Sequence, residues 1–191
     1  MKYMYWTIAN AINSDYCDEL VKRYRLSKEI ATTELGNGGY DDNVRRSEVS
    51  WVEDKDVIDM IKYFSTEINS RAFGFDLYGN DPNIQFTEYN SEYKGTYDWH
   101  IDTLFADSDT MLERKLSIVV QLTDGNMYEG GDFLIGNTSH NGEINLSKET
   151  EFIKNKGTIL AFPSFMQHKV TPVTSGVRNS LVSWIDGPSW R

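Results

Sequence analysis

The residues with the clearest chemical potential lie in the stretch Tyr97-Asp98-Trp99-His100-Ile101-Asp102. In an extended strand alternate side chains share a face, so the His100 imidazole and the Asp102 carboxylate are expected side by side. That pair supplies two thirds of a facial metal site, with the opposite side open to substrate or oxygen. The chain has three histidines. His168, just beyond the apolar run Gly157-Thr158-Ile159-Leu160-Ala161-Phe162-Pro163, is the candidate third ligand. His140, in the loop Asn137-Thr138-Ser139-His140-Asn141-Gly142, reads as a solvated turn residue. A His-X-Asp triplet alone is a weak signal, and zinc or manganese could occupy such a site as well as iron.

A second chemical feature follows His168. Arg178, Ser180, Val182 and Trp184 alternate along one predicted strand and so share one face. An arginine in an apolar strand is costly to bury unless an anion accompanies it. Two readings stand at this point: a structural salt bridge, or a bidentate clamp on a carboxylate-bearing ligand.

These residues need rigid elements to hold them. Asn13-Ser14-Asp15 is a capping signal for a helix over Tyr16–Leu26, with Tyr16, Leu20, Val21 and Tyr24 at helical spacing. Asp54 or Asp56 caps a second helix over Val57–Ala72, whose buried stripe is Val57, Ile58, Ile61, Phe64 and Ile68. The segment Thr32–Asn43, with Gly36, Gly38 and Gly39, reads as a loop, and Arg45–Val52 turns strand-like towards its end. From Ile84 the pattern changes to strands: Ile84–Tyr89, Leu116–Leu122, Gly131–Ile135, Thr158–Phe162 and Val177–Ile185. Short strands broken by Asn, Gly and Asp turns indicate a mainly β antiparallel sandwich or small barrel preceded by two helices. No linker or repeat divides the chain. One domain over 1–191 is expected, with 1–83 as helical support and loop, and 84–191 as the β core.

Composition narrows the function. At 191 residues, with 39% hydrophobic and 25% charged residues, the chain can bury an ordinary core. A net charge of -10 argues against a phosphate-tracking surface, because nucleic-acid binding relies on Lys and Arg neutralising phosphates. The basic cluster Lys22, Arg23 and Arg25 reads as a solvated helix face. The lone cysteine, Cys17, cannot form an intramolecular disulfide and reads as buried filler, which fits a reducing compartment. No signal-like or membrane-spanning run is present, so a cytoplasmic protein with no membrane partner is expected.

Four blocks in order carry a resemblance: Tyr97 through Asp102, Arg114-Lys115-Leu116-Ser117-Ile118-Val119-Val120-Gln121-Leu122, Tyr128-Glu129-Gly130-Gly131-Asp132-Phe133, and Gly157 through His168 to Arg178. Together they resemble the Fe(II)/2-oxoglutarate-dependent dioxygenases, in the prolyl 4-hydroxylase-like branch with small bacterial and phage members. The likeness spans roughly Ile84 to Trp184, and Arg45–Trp51 resembles an N-terminal block of the same branch. It implies a double-stranded β-helix, or jelly roll, with the helices on one sheet. It implies Fe(II) held by His100, Asp102 and His168, with 2-oxoglutarate as co-substrate and ascorbate as reductant. Arg178 would pair with the distal carboxylate, Ser180 would add a hydrogen bond, and Tyr89 would contact the co-substrate. The interval from Tyr89 to His100 leaves Tyr93 and Tyr97 as alternatives for that last role.

The resemblance points to hydroxylation of a prolyl residue in a peptide or protein, with dioxygen consumed and 2-oxoglutarate decarboxylated to succinate. A free amino acid or another side chain is a further possible target, because substrate choice does not travel with the fold. A nucleic-acid demethylase and a non-catalytic jelly-roll binding module are the rivals from other classes. The loops Glu34–Asn43 and Thr103–Arg114 are candidate lids. Their acidic residues Asp41, Asp42, Asp107, Asp109 and Glu113 either attract a basic peptide or are simply solvated. Oligomeric state is not legible.

Overall fold

Strand-rich composition after residue 83 and two capped helices before it become two antiparallel sheets with the helices on one of them. The computed structural model describes residues 3–30, 44–103, 112–138, 144–146 and 153–190. The expected loop Glu34–Asn43, the residues 104–111 of the second expected lid, and His140 lie outside the described residues.

In chain order the elements are β1 (Trp6–Ile8), α1 (Ser14–Tyr24), β2 (Glu29–Ile30), β3 (Arg45–Arg46), β4 (Glu48–Trp51), α2 (Lys55–Ile68), β5 (Asn83–Asn90) and β6 (Thr96–His100). There follow β7 (Leu112–Gln121), β8 (Tyr128–Gly130), β9 (Phe133–Thr138), β10 (Ile144–Leu146), β11 (Ile159–Pro163), β12 (Gln167–Val170) and β13 (Val173–Pro188). The larger sheet runs β1-β11-β7-β13-β5-β4-β2, with β8 paired to β13, and the smaller runs β10-β9-β12-β6-β3. All pairings are antiparallel. The first 83 residues are more than helical support. Strands β1, β2 and β4 extend the larger sheet, and β3 edges the smaller one.

Local chemistry explains the helix ends. The Asn13 side chain accepts the Asp15 N–H at 2.8 Å, capping α1. Asp54 caps α2 with its backbone carbonyl, which takes the N–H groups of Val57 and Ile58, while its carboxylate accepts the Tyr24 hydroxyl. Beyond Ile68 the helix widens into a π turn, Asn69–Phe73, and stops at Gly74, whose φ of +66° suits glycine. Two of the basic residues of the α1 region are committed to carboxylates: Arg23 to Glu19 and Asp56, and Arg25 to Glu88.

Period-two alternation gives the central strands of the larger sheet two different faces. Phe86, Ile118 and Leu181 point to the helices and pack with Leu20, Ile61 and Ile68, all 0% exposed. Burying each such side chain contributes about 1.5–3 kcal/mol. The other face turns towards the smaller sheet, where Tyr89, Val119, Phe133, Phe162 and Val170 form a second cluster. The polar members of that inner face build the site.

Candidate active site

Strand pairing brings the two histidines together. His168 on β12 lies directly opposite His100 on β6 in the ladder, and their rings are 4.1 Å apart. Asp102 arrives differently from the sequence expectation. Strand β6 ends at His100, so His100 and Asp102 do not share one uninterrupted strand. The backbone N–H groups of Asp102 and Thr103 both donate to the Ser164 carbonyl, at 2.8 and 3.0 Å, in the turn that links β11 to β12. This anchorage delivers the carboxylate to the two imidazoles. Asp102 Oδ1 is 3.8 Å from His100 Nε2, and Oδ2 is 3.5 Å from His168 Nε2. One donor atom from each of the three residues lies within 4.8 Å of the others.

Each of the three is oriented from behind. His100 Nδ1 is 2.7 Å from the Asp98 carbonyl, and His168 Nδ1 is 2.9 Å from the Met166 carbonyl. An Nδ1–H donated to each carbonyl leaves both Nε2 lone pairs facing the carboxylate. The Ser117 hydroxyl donates to Asp102 Oδ2 at 2.7 Å and lies 2.9 Å from the Ser164 hydroxyl. The Tyr97 ring stacks on His100 at 3.5 Å, and Phe162 packs beside His168 at 4.7 Å.

Electrostatics suits this set to a cation. Burial, reinforced by the His168 imidazole, pulls His100 down to about 3 against the opposing pull of Asp102, so the ring is a neutral donor at physiological pH. Burial would raise the Asp102 carboxyl, but the two imidazoles and the Ser117 hydroxyl outweigh it and hold Asp102 below the usual carboxylate range. Two imidazoles and one carboxylate on one side of a cavity are the donor set of a facial Fe(II) site.

The cavity between the sheets has a volume of about 490 Å³. Arg178, Ser180, Val182 and Trp184 all line it, so the alternation read along β13 does put them on one face. Arg178 is 2% exposed. It pairs across the ladder with Tyr89, whose ring lies 5.6 Å from its guanidinium carbon. Its Nη1 reaches Ser180 Oγ at 3.4 Å, whereas Nη2 is buried with no hydrogen-bond partner. No carboxylate of the described residues pairs with it, so no structural salt bridge is made among them, and the unpartnered Nη2 is available to a ligand anion. Gly131 makes the space: at φ +58° its hydrogen sits where a Cβ would come within 3.2 Å of Arg178 Cδ. The three tyrosines are placed differently, and both Tyr89 and Tyr97 line the cavity. Tyr97 stacks on His100, and the Tyr93 hydroxyl donates to the Glu88 backbone carbonyl.

Several cavity residues escaped the sequence reading. Arg45 donates to Ser47 Oγ and Gln85 Oε1, both at 2.8 Å, and its guanidinium carbon lies 4.7 Å from the Tyr97 ring. Arg114 lies over Trp184 at 4.1 Å. Ser117, a small polar residue amid the β-branched run of β7, was the one available signal for the support behind Asp102.

Comparison with known proteins places this geometry in context. Residues 84–186 match the family model described as the 2OG-Fe(II) oxygenase superfamily. A PKHD-type hydroxylase of Synechococcus sp. (strain CC9311) is 37% identical over 102 residues, which is 53% of this chain and 41% of that protein. A second, from Shewanella oneidensis, is 36% identical over 98 residues, or 50% and 40% of the two chains. The chain thus matches two fifths of the length of these curated relatives. Among solved structures, a Pseudomonas putida prolyl-4-hydroxylase superposes with a TM-score of 0.69 at 18% identity, covering 96% of this chain and 92% of that one. The viral collagen prolyl hydroxylase of Paramecium Bursaria Chlorella virus-1, solved with 2OG, gives 0.67 at 20% identity and covers 97% of each chain. The shared fold is the double-stranded β-helix.

Proposed function

Because the chain belongs to the 2OG-Fe(II) oxygenase superfamily, we propose that it hydroxylates a prolyl residue in a peptide or protein. The balanced reaction takes a substrate C–H bond, dioxygen and 2-oxoglutarate to the alcohol, succinate and carbon dioxide. One observation carries the reading. His100, Asp102 and His168 converge within 4.8 Å on the wall of a cavity that also holds a buried guanidinium with a free N–H face.

In this reading His100, Asp102 and His168 hold the Fe(II), which when bound supplies the dioxygen activation that no side chain in the cavity can provide. Arg178 takes the distal carboxylate of 2-oxoglutarate through the N–H groups that the protein leaves unsatisfied. Ser180 adds its hydroxyl, and the buried face of Tyr89 fixes the guanidinium in place. Tyr97 and Phe162 pack against the two imidazoles and limit stray water. The prolyl target draws on the Pseudomonas putida and viral neighbours, which are prolyl hydroxylases by name. Hydroxylation more generally draws on the PKHD-type relatives.

We place the whole chain, 1–191, in a single oxygenase domain, because β1, β2 and β4 are built into the sheet that carries Arg178. The buried, unpaired Cys17 fits a reducing compartment such as the cytoplasm. Among the described residues, no helix is long and apolar enough to cross a membrane.

The test is succinate formation from 2-oxoglutarate with Fe(II) and ascorbate, run against a peptide library and read by the mass gain of one oxygen atom. Succinate that depends on iron, with a hydroxylated prolyl product, supports the reading. Absence of iron-dependent succinate, or full activity in His100→Ala, rejects it.

A further inference from the structure

The charge inside the cavity has the opposite sign to that of the chain. Among the described residues three guanidiniums line it, those of Arg45, Arg114 and Arg178, against the single carboxylate of Asp102. Two positive charges are left over in a protein of net charge -10. A ferrous ion and a 2-oxoglutarate dianion cancel one another, so loading the site does not remove this surplus.

The three arginines are not equivalent. Arg178 is the deepest and serves the co-substrate. Arg45 spends its N–H groups on the neutral acceptors Ser47 and Gln85. Arg114 alone has neither a hydrogen-bond acceptor for its guanidinium nor a carboxylate within ion-pair distance among the described residues. It is partly buried, and its guanidinium carbon stands 4.1 Å from the centre of the Trp184 ring. Trp184 in turn neighbours the half-exposed Trp51 at 6.4 Å. Burial pulls the guanidinium below its usual range, while Asp102 and Asp186 act against that pull from beyond ion-pair distance. A partly desolvated cation with open N–H groups beside an aromatic shelf is a receptor for an anion attached to an apolar body.

We propose that Arg114 is the specificity determinant for a carboxylate on the substrate, with the apolar part of that substrate resting on Trp51 and Trp184. The proposal rests on reading the cavity as the oxygenase site. It sharpens that reading from any prolyl substrate to one that is negatively charged beside the reacting carbon. The carboxylate has two possible sources, an acidic side chain flanking the target in a peptide or the α-carboxylate of a free imino or amino acid.

The experiment uses the full chain loaded with Fe(II) and 2-oxoglutarate. The probes are blocked prolyl peptides in isosteric pairs, Asp against Asn and Glu against Gln at each flanking position, together with free L-proline and L-prolinamide. The readout is the ratio of kcat/KM between the charged and neutral member of each pair. The charged member should win by roughly 10- to 100-fold, the worth of a charge-assisted pair in a shielded site, and chiefly through KM. Preference within the peptide pairs identifies a side-chain carboxylate as the source, and preference for proline over prolinamide identifies the α-carboxylate. Arg114→Gln should bring the ratio to about one, and Arg114→Lys should restore part of it, which a merely structural loss would not do. Equal handling of charged and neutral probes, preference for the neutral ones, or an unchanged ratio in Arg114→Gln overturns the proposal.

Binding of the same pairs to the Mn(II)-loaded protein, by calorimetry without turnover, separates the two readings. A charge preference that depends on Arg114, without succinate formation, removes the oxygenase reading and keeps the anion receptor. Iron-dependent succinate and hydroxylated product without a charge preference do the reverse.

Discussion

Asp102 is tied to Ser164 rather than to the strand that precedes it. Its N–H donates to the Ser164 carbonyl at 2.8 Å, and the Ser164 hydroxyl lies 2.9 Å from Ser117 Oγ, which itself donates to Asp102 Oδ2. The carboxylate is therefore positioned from the β11–β12 turn, the connection that leads directly into His168. A metal held here would join two segments already locked together by the fold.

Ser117→Ala removes the hydroxyl that fixes Asp102 Oδ2. Supporting groups of this kind typically contribute roughly 10- to 100-fold in metal affinity, and we expect a loss in that range. Titration with Fe(II) or Mn(II) measures it. An unchanged metal affinity would show that the serine pair only fills space.

His100→Ala should abolish the stabilisation that metal confers. A ligand at one hundred times its dissociation constant adds about 2.7 kcal/mol to folding stability, so excess Mn(II) should raise the wild-type melting temperature and a chelator should reverse the rise. The variant should melt at the same temperature with and without metal.

Arg178→Ala should raise the KM for 2-oxoglutarate roughly 100-fold or more, because truncating a buried charge-pair partner costs about 2–5 kcal/mol. Arg178→Lys keeps the charge but loses the planar fork, and should fall between the two. Metal affinity should change little in either variant. A KM within twofold of wild type would remove Arg178 from the co-substrate site.

Gly131→Ala tests the space beside Arg178. The backbone there has φ +58°, and a Cβ would stand 3.0 to 3.2 Å from Val173, Tyr128 and Arg178. Left-handed strain costs about 1–3 kcal/mol, and the added methyl also presses on the guanidinium. We expect lower stability in urea unfolding together with a weakened grip on 2-oxoglutarate. A variant as stable as wild type would contradict the tight approach.

Cys17 gives a pH-dependent prediction. It is 0% exposed, and burial pushes its thiol up to about 11, above an unfolded value of about 8.5. The folded protein then holds its proton longer than the unfolded chain does. Stability is unaffected below the unfolded value and falls as pH rises from there through about 11. The stability advantage of wild type over Cys17→Ala should narrow across that window in urea titrations, and a constant advantage would contradict the shift. Thiol reagents should modify Cys17 only under unfolding conditions.

The helices, the main strands and the chemistry-bearing residues were legible because their signals are local. Asn13 and Asp54 stand where helix starts require them, and the alternation Arg178, Ser180, Val182, Trp184 is a property of one strand. His100, Asp102 and His168 do converge, although Asp102 reaches the cluster by a different route from the strand drawn in the sequence. A strand drawn through Tyr97–Asp102 captures the identities but misses the break after His100, which is imposed by the Ser164 carbonyl sixty-odd residues later in the chain. Tyr89 could not be separated from Tyr93 and Tyr97 by spacing, since only the pairing of β5 with β13 sets one of them opposite Arg178.

The amino-acid order by itself determined which groups were available: two imidazoles, a carboxylate and an arginine on an apolar strand, in a chain of net charge -10. Tertiary structure alone decided that Arg45 and Arg114 join Arg178 around one carboxylate and so reverse the local charge. The physical reason is that side-chain periodicity is fixed within a strand, whereas strand register and turn anchorage depend on hydrogen bonds between segments far apart in sequence. Which charges meet in a cavity is set by those distant bonds.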